Sequence, residues 1–221
     1  MKEQKLVLAS ASPRRRELMS LFGFPYTCQS ADIDEHVHTG ETAQVYVQRL
    51  AREKNNAVQA DALILSADTV VAYNGSLMGK PDDAQAAADR LLELRGKDHT
   101  VLTALHLRGD GQAWAACCET RLRMRQYTRA EMDAYIASGD YRDKAGGYAI
   151  QHQAFHPVES LEGCYANVLG LPLCHLFCLL RQAGLQFDAD IPSRCQQHLG
   201  ITCEVYPGIL ARCNAENWAV V

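Results

Sequence analysis

The apolar positions of this chain alternate between short runs and helical stripes. Residues 6–9 form a brief apolar run and residues 62–73 a longer one, each of the length and composition of a buried strand. Between them Val45, Val47, Leu50 and Ala51 keep helical spacing across residues 42–59, with Arg49, Arg52, Glu53 and Lys54 on or near the other face, which predicts an amphipathic helix. Residues 26–33 read as a second strand that runs into the acidic stretch Asp32-Ile33-Asp34-Glu35-His36. Asn74-Gly75-Ser76 marks a turn, and residues 83–95 predict a helix closed by Gly96. Residues 99–107 and 113–126 predict two strands joined by Arg108-Gly109-Asp110-Gly111. Thr128, with Glu131 three residues on, opens a short helix to Ser138 through a capping box. The glycine-rich stretch 140–151 reads as a tight binding loop running into a strand. Residues 163–173 read as a loop entering a last helix that ends near Gly184. Strands alternating with helices predict an α/β fold.

Composition narrows the picture. At 221 residues the chain supports a substantial core, as one large domain or two closely joined lobes. A net charge of −4 argues against a general nucleic-acid binder. No apolar leader follows Met1-Lys2-Glu3-Gln4, and the richest apolar stretches are interrupted by Asp68 or by Pro172 and His175. A soluble cytoplasmic protein with no membrane or nucleic-acid partner is the expectation. The nine cysteines are odd in number and form no Cys-x-x-Cys, so free thiols are expected. Cys174 and Cys178 share a helix face beside His175, a pattern that suits small buried hydrophobes better than a metal. Cys195, Cys203 and Cys213 lack zinc-ligand spacing.

Three places carry chemistry. After the first strand, Ser12-Pro13 reads as an N-cap followed by proline at the first helical position, and Arg14, Arg15 and Arg16 then crowd the first turn. A helix N-terminus is already positive and favours carboxylates, so guanidinium forks there point to an external anion such as phosphate; a solvated basic triplet is the plain alternative. Asp68 stands in the middle of an apolar strand, where a carboxylate costs several kcal/mol unless paired, hydrogen-bonded or metal-bound, roughly the desolvation of a buried polar group. Gly79-Lys80-Pro81 leads into another helix start. Arg121, Arg123 and Arg125 alternate with Leu122 and Met124 and mark one wet sheet face.

Taken together these segments resemble the Maf family of nucleoside triphosphate pyrophosphatases, named for an association with septum formation. The match runs through Leu-Ala-Ser-Ala-Ser-Pro-Arg-Arg at residues 8–15, Asp34-Glu35, Lys54, Ala67-Asp68-Thr69, Gly79-Lys80-Pro81, residues 143–151 and residues 167–173, from about Lys5 to Gly184. The resemblance implies an elongated mixed sheet with flanking helices, in two lobes around a nucleotide cleft, similar to inosine-triphosphate pyrophosphatases and commonly dimeric. It implies hydrolysis between the α and β phosphates with a divalent metal ion, Mg2+ or Mn2+. Glu35 and Asp68 would hold the metal or activate water, with Asp68 singled out as proton acceptor. Ser10, Ser12, Arg14, Arg15, Lys54, Thr69, Lys80 and Gln151 would contact the substrate. The Ala-Asp-Thr form resembles the dTTP and UTP branch, whereas Ser-Asp-Gln goes with 7-methyl-GTP. A nucleotide-binding regulator of division would use the same pocket without the acids. Ala149 and His152 stand where the family pattern carries glycine, and Cys164 where it often has serine. Residues 185–221 extend beyond the match as an extension of unassigned role.

Overall fold

The structure, a computed structural model, describes residues 5–213. Its strands are β1 (Leu6–Leu8), β2 (Thr27–Cys28), β3 (Leu63–Tyr73), β4 (Ser76–Met78), β5 (Asp98–Gly109), β6 (Gln112–Met124) and β7 (Val158–Glu162). Its helices are α1 (Pro13–Ser20), α2 (Ala43–Ala57), α3 (Ala84–Leu94), α4 (Arg129–Ser138), α5 (Tyr165–Val168), α6 (Leu173–Gln182), α7 (Ile191–Leu199) and α8 (Tyr206–Arg212). The strands form one mixed sheet ordered β2-β1-β3-β5-β6-β7, with β4 also paired to β3. β1 runs parallel to β2 and β3; the other pairings are antiparallel. The α/β expectation holds.

Local chemistry sets the helix starts. Ser12, Thr42, Asp83 and Thr128 each accept a backbone N–H of the first turn, and Thr128 with Glu131 forms the capping box. Helix α2 buries Tyr46, Val47, Leu50, Ala51 and Asn55, while Val45, expected on the buried stripe, is 51% exposed. Tyr46 takes the inward place one residue on.

The two faces of β3 divide the core. Leu63, Leu65 and Ala67 pack with α1 and α6 in one apolar cluster, and Val71 on the same face packs with α3 and α4 in a second. Val70 faces the opposite side, beneath Tyr46, Val47, Leu50 and Ala51 of α2. Thr69 lies between the two clusters of the first face.

Several expectations are corrected. The strand anticipated over 26–33 shrinks to Thr27–Cys28, because its only neighbour, β1, offers three residues and pairs only Val7 with Thr27 and Leu8 with Cys28. Residues 140–151 do not run into a strand: Ala145–Gly147 make a 3-10 turn, and the His152 N–H donates to the Ala149 carbonyl in a further turn. The edge of β6 is taken instead by β7. Lys144 pairs with Asp140 at 2.7 Å and so ties the loop to the end of α4. Helix α6 is not the last, since α7 and α8 pack against it. Free thiols are overturned for one pair: packing of α8 on α6 brings Cys178 and Cys213 to a Cα separation of 5.3 Å, joined as a disulfide across 35 residues, a contact that no local spacing announces. The other seven cysteines are free. Trp218 lies outside the described residues.

Gly146 is held at φ +71°, and a Cβ there would stand 2.8 Å from Val71 Cγ2. Gly146→Ala is expected to destabilise the fold by about 2 kcal/mol, through left-handed backbone strain and the clash together. Thermal unfolding should register a fall of roughly 4–8 °C.

Candidate functional site

The site begins with a break in the sheet. One edge of β3 is covered by β5 along its whole length, from Ile64 to Ala72. The other edge pairs with β1 at Leu63 to Leu65 and with β4 at Val71 to Tyr73. Residues 66–70 therefore have no strand on that side, and the loops leaving β1 and β4 splay around an opening. Asp68 and Thr69 sit at its centre and, by the alternation of a strand, face opposite ways.

Asp68 faces α2. Lys54, one turn from the end of that helix, places Nζ 2.6 Å from Asp68 Oδ1 and 2.6 Å from Glu35 Oε1. The side chains of Lys54 and Asp68 are 12% and 8% exposed, so the pair is buried; Glu35 is 48% exposed and forms the open rim. Glu35 is held by its backbone: Tyr46 Oη donates to the Glu35 carbonyl, and Arg49 ties down the following turn through the His36 carbonyl and the Glu41 carboxylate. Burial raises the Asp68 carboxyl above the ordinary 3.8, and the repulsion of Glu35 adds to this against the pull of Lys54 and Arg15. At Glu35, burial pushes upward too, but the hydrogen bond and charge of Lys54, with Lys80 and Arg15 beyond, hold the carboxyl below its usual range. Two carboxylates around one ammonium thus differ in proton affinity, a separation typical of acid and base roles.

Thr69 faces the other way, towards the start of α1. Arg15 donates from Nη2 to Thr69 Oγ1 at 3.0 Å and from Nε to the Gly170 carbonyl at 2.9 Å. Thr69 Oγ1 lies 2.9 Å from Thr103 Oγ1, which donates to the Asn167 carbonyl. A hydroxyl carries one proton, so Thr103 must accept from Thr69, and the chain runs from Arg15 through Thr69 and Thr103 to Asn167. Asn167 continues it, donating from Nδ2 to Thr120 Oγ1 and the Val101 carbonyl. This polar seam crosses the sheet between the two apolar clusters. Arg15 is thereby committed to internal carbonyl and hydroxyl partners, and its charge acts on Asp68 from behind. The Gly170 backbone, at φ +95°, passes so close that a Cβ would stand 3.1 Å from Thr69 Oγ1.

Arg14 reaches across the opening to the Asp143 carbonyl at 3.0 Å. It lines, with Gln151 and Leu169, a cavity of about 250 Å³ on the α1 side. Ser10 is buried beside the start of α1, where its Oγ accepts the Ser12 N–H. Lys80 is exposed on the far side, near enough for its charge to act on Glu35. Arg16 is exposed, its carbonyl taken by Tyr26. Arg123 and Arg125 pair with Asp98, Glu159 and Glu131, as a wet face would. Thr103 and Tyr46 belong to the site and carried no signal of their own in the sequence, and Asn167, though it opens the block at residues 167–173, had no role assigned there. Their roles arise only from strand register and helix packing. No group of three or more histidine, cysteine or acidic side chains able to hold a metal occurs among the described residues.

Residues 5–183 match a family model described as Maf-like protein. Relatives named dTTP/UTP pyrophosphatase include one from Methylococcus capsulatus, 43% identical over 82% of this chain and 92% of its own. Another, from Myxococcus xanthus, is 46% identical over 81% and 93%. A third, from Thermomicrobium roseum, is 43% identical over 87% and 92%. Among solved structures, one of the Staphylococcus aureus Ham1 protein superposes with a TM-score of 0.41 at 14% identity over 56% of this chain and 73% of that one.

Proposed function

The chain belongs to the Maf-like protein family, and from that premise we propose that it hydrolyses nucleoside triphosphates, dTTP and UTP first among them, to the nucleoside monophosphate and pyrophosphate. The observation that carries the reading is the buried Lys54 ammonium shared by Asp68 and Glu35 at the unpaired stretch of β3. The names borne by relatives over most of their length supply the substrate class. A pure nucleotide sensor gains nothing from two carboxylates facing a polyanion.

In this mechanism Asp68 accepts the proton of the attacking water, a task suited to a carboxylate whose proton affinity burial has raised. The triphosphate lies over the start of α1, where Ser10, Ser12 and Arg14 meet it, with Lys80 closing the other side and Lys54 balancing charge next to the reacting bond. Arg15 fixes Thr69 and the Gly170 loop and contributes its charge to the same field. Gln151 meets the base with an amide that both donates and accepts.

The donor set suits a divalent ion. Glu35 and Asp68 offer hard carboxylate oxygens on either side of the Lys54 ammonium, and magnesium is commonly held by one or two carboxylates with substrate phosphates filling the remaining places. Such an ion would neutralise charge on the transferring phosphoryl group. We assign the chemistry to residues 1–184, with 185–221 as an extension. No helix among the described residues is long and apolar enough to cross a membrane. A panel of nucleoside triphosphates is expected to release pyrophosphate from dTTP and UTP with Mg2+ or Mn2+ and to fall to background when EDTA strips the metal. Turnover that survives EDTA, or a panel led by purine nucleotides, would overturn the assignment.

A further inference from the structure

The cavity beside Arg14 and Gln151 has a wall from outside the family match. That match ends at residue 183, yet His198 and Leu199 of α7 line the cavity together with Gln151 and Leu169. We propose that α7 forms the outer wall of the nucleobase pocket and that His198 is a specificity-determining residue there, an inference that rests on the nucleotide reading above. At about 250 Å³ the space falls just below the usual range for a whole drug-sized ligand, roughly 300–1,000 Å³, and suits a single ring system. Leu18, Leu169 and Leu199 give it apolar surface, while Arg14 offers donors and Gln151 both donors and an acceptor. That combination fits a pyrimidine, with flat apolar faces and carbonyl and imide groups on its edge.

The wall is fastened to the helix that carries Arg14. Ile191 and Cys195 are buried in the main apolar cluster, and Arg194 Nη1 donates to the Leu21 carbonyl at 2.8 Å, just past the end of α1. His198 Nε2 lies 3.0 Å from Glu17 Oε1 on α1 itself. Its side chain is 30% exposed, partly covered as a pocket wall is. Below α7, the Cys203 N–H donates to Gln196 Oε1, and the disulfide between Cys178 and Cys213 fastens the residue after α8 to α6. The wall is therefore a braced element rather than a loose tail.

The test is steady-state kinetics of the full chain on UTP, dTTP, CTP and GTP, comparing wild type with His198→Ala, Glu17→Gln and Gln197→Ala. Gln197 is an exposed neighbour on α7 outside the cavity lining. His198→Ala should raise KM for the preferred pyrimidine about tenfold and narrow its kcat/KM advantage over the other bases, with kcat within about threefold. Glu17→Gln should follow in the same direction with a smaller effect, and Gln197→Ala should match wild type. Wild-type turnover with an unchanged base ranking in both His198→Ala and Glu17→Gln would overturn the wall and leave the activity standing. A wild type that releases pyrophosphate from no nucleotide would remove the functional reading, and this proposal with it. A loss confined to kcat would mark His198 as acting on the chemistry and would likewise reject a base-contacting role.

Discussion

Asp68→Asn is expected to cut kcat for pyrophosphate release from dTTP by about 10²–10⁴-fold, the range lost with a general base, while the protein folds as before. Asparagine keeps the shape and an oxygen to receive Lys54, but holds no proton-accepting carboxylate. Burial already works against the Asp68 charge, so removing that charge brings no desolvation penalty of its own, and the melting temperature should stay within a few degrees of wild type. The pH profile of wild type carries the same residue's signature. Asp68 must be ionised to act and its carboxyl sits above the ordinary 3.8, so kcat/KM should rise with pH through a limb displaced upward from that value. Full turnover in Asp68→Asn, or an acid limb at or below 3.8, would remove Asp68 from the chemistry.

Lys54→Met should produce the largest combined loss, abolishing turnover and lowering stability by about 3 kcal/mol, the cost of breaking a buried pair by taking one partner away. The lost stability has a definite pH dependence. Without the ammonium, the folded-state affinity of Asp68 for a proton climbs further above its unfolded value. A carboxyl raised in the folded state weakens folding at pH above its folded pKa and ceases to do so below its unfolded pKa. The deficit of Lys54→Met should therefore be complete at neutral pH and shrink as the pH falls towards about 3.8, the unfolded reference. Denaturant titrations at several pH values measure it, and a deficit constant across that window would contradict the charge argument. Adding Asp68→Asn to Lys54→Met should recover much of the lost stability at neutral pH, as expected for residues in contact.

The parts of this site that were legible in the sequence are those whose chemistry is local. Ser12-Pro13 announces the start of α1, and a lone aspartate in an apolar strand declares itself as an exception that needs a reason. What escaped depends on distant pairing. The unpaired stretch of β3 exists only because β1 and β4 take the two ends of the same edge, and the seam of Thr69, Thr103 and Asn167 needs a register between β3 and β5 that no single segment encodes. Strand β7 was missed for a related reason: five residues reading Val-Glu-Ser-Leu-Glu are too polar to look like a strand until β6 offers its edge. Arg15 shows the limit most clearly. Its basic character was plain, but its internal partners, a carbonyl 155 residues away and a hydroxyl 54 away, were not.

The break in the sheet also bears on how the two walls of the cleft are joined. Beyond it, among the described residues, only β3, β5 and β6 run the full distance from the cluster around α1 and α6 to the cluster around α3 and α4, and each is 11 to 13 residues long. The Arg14 wall belongs to the first cluster and the loop bearing Lys80 to the second. The two walls are therefore joined through three continuous strands, with the threonine seam crossing the sheet between them.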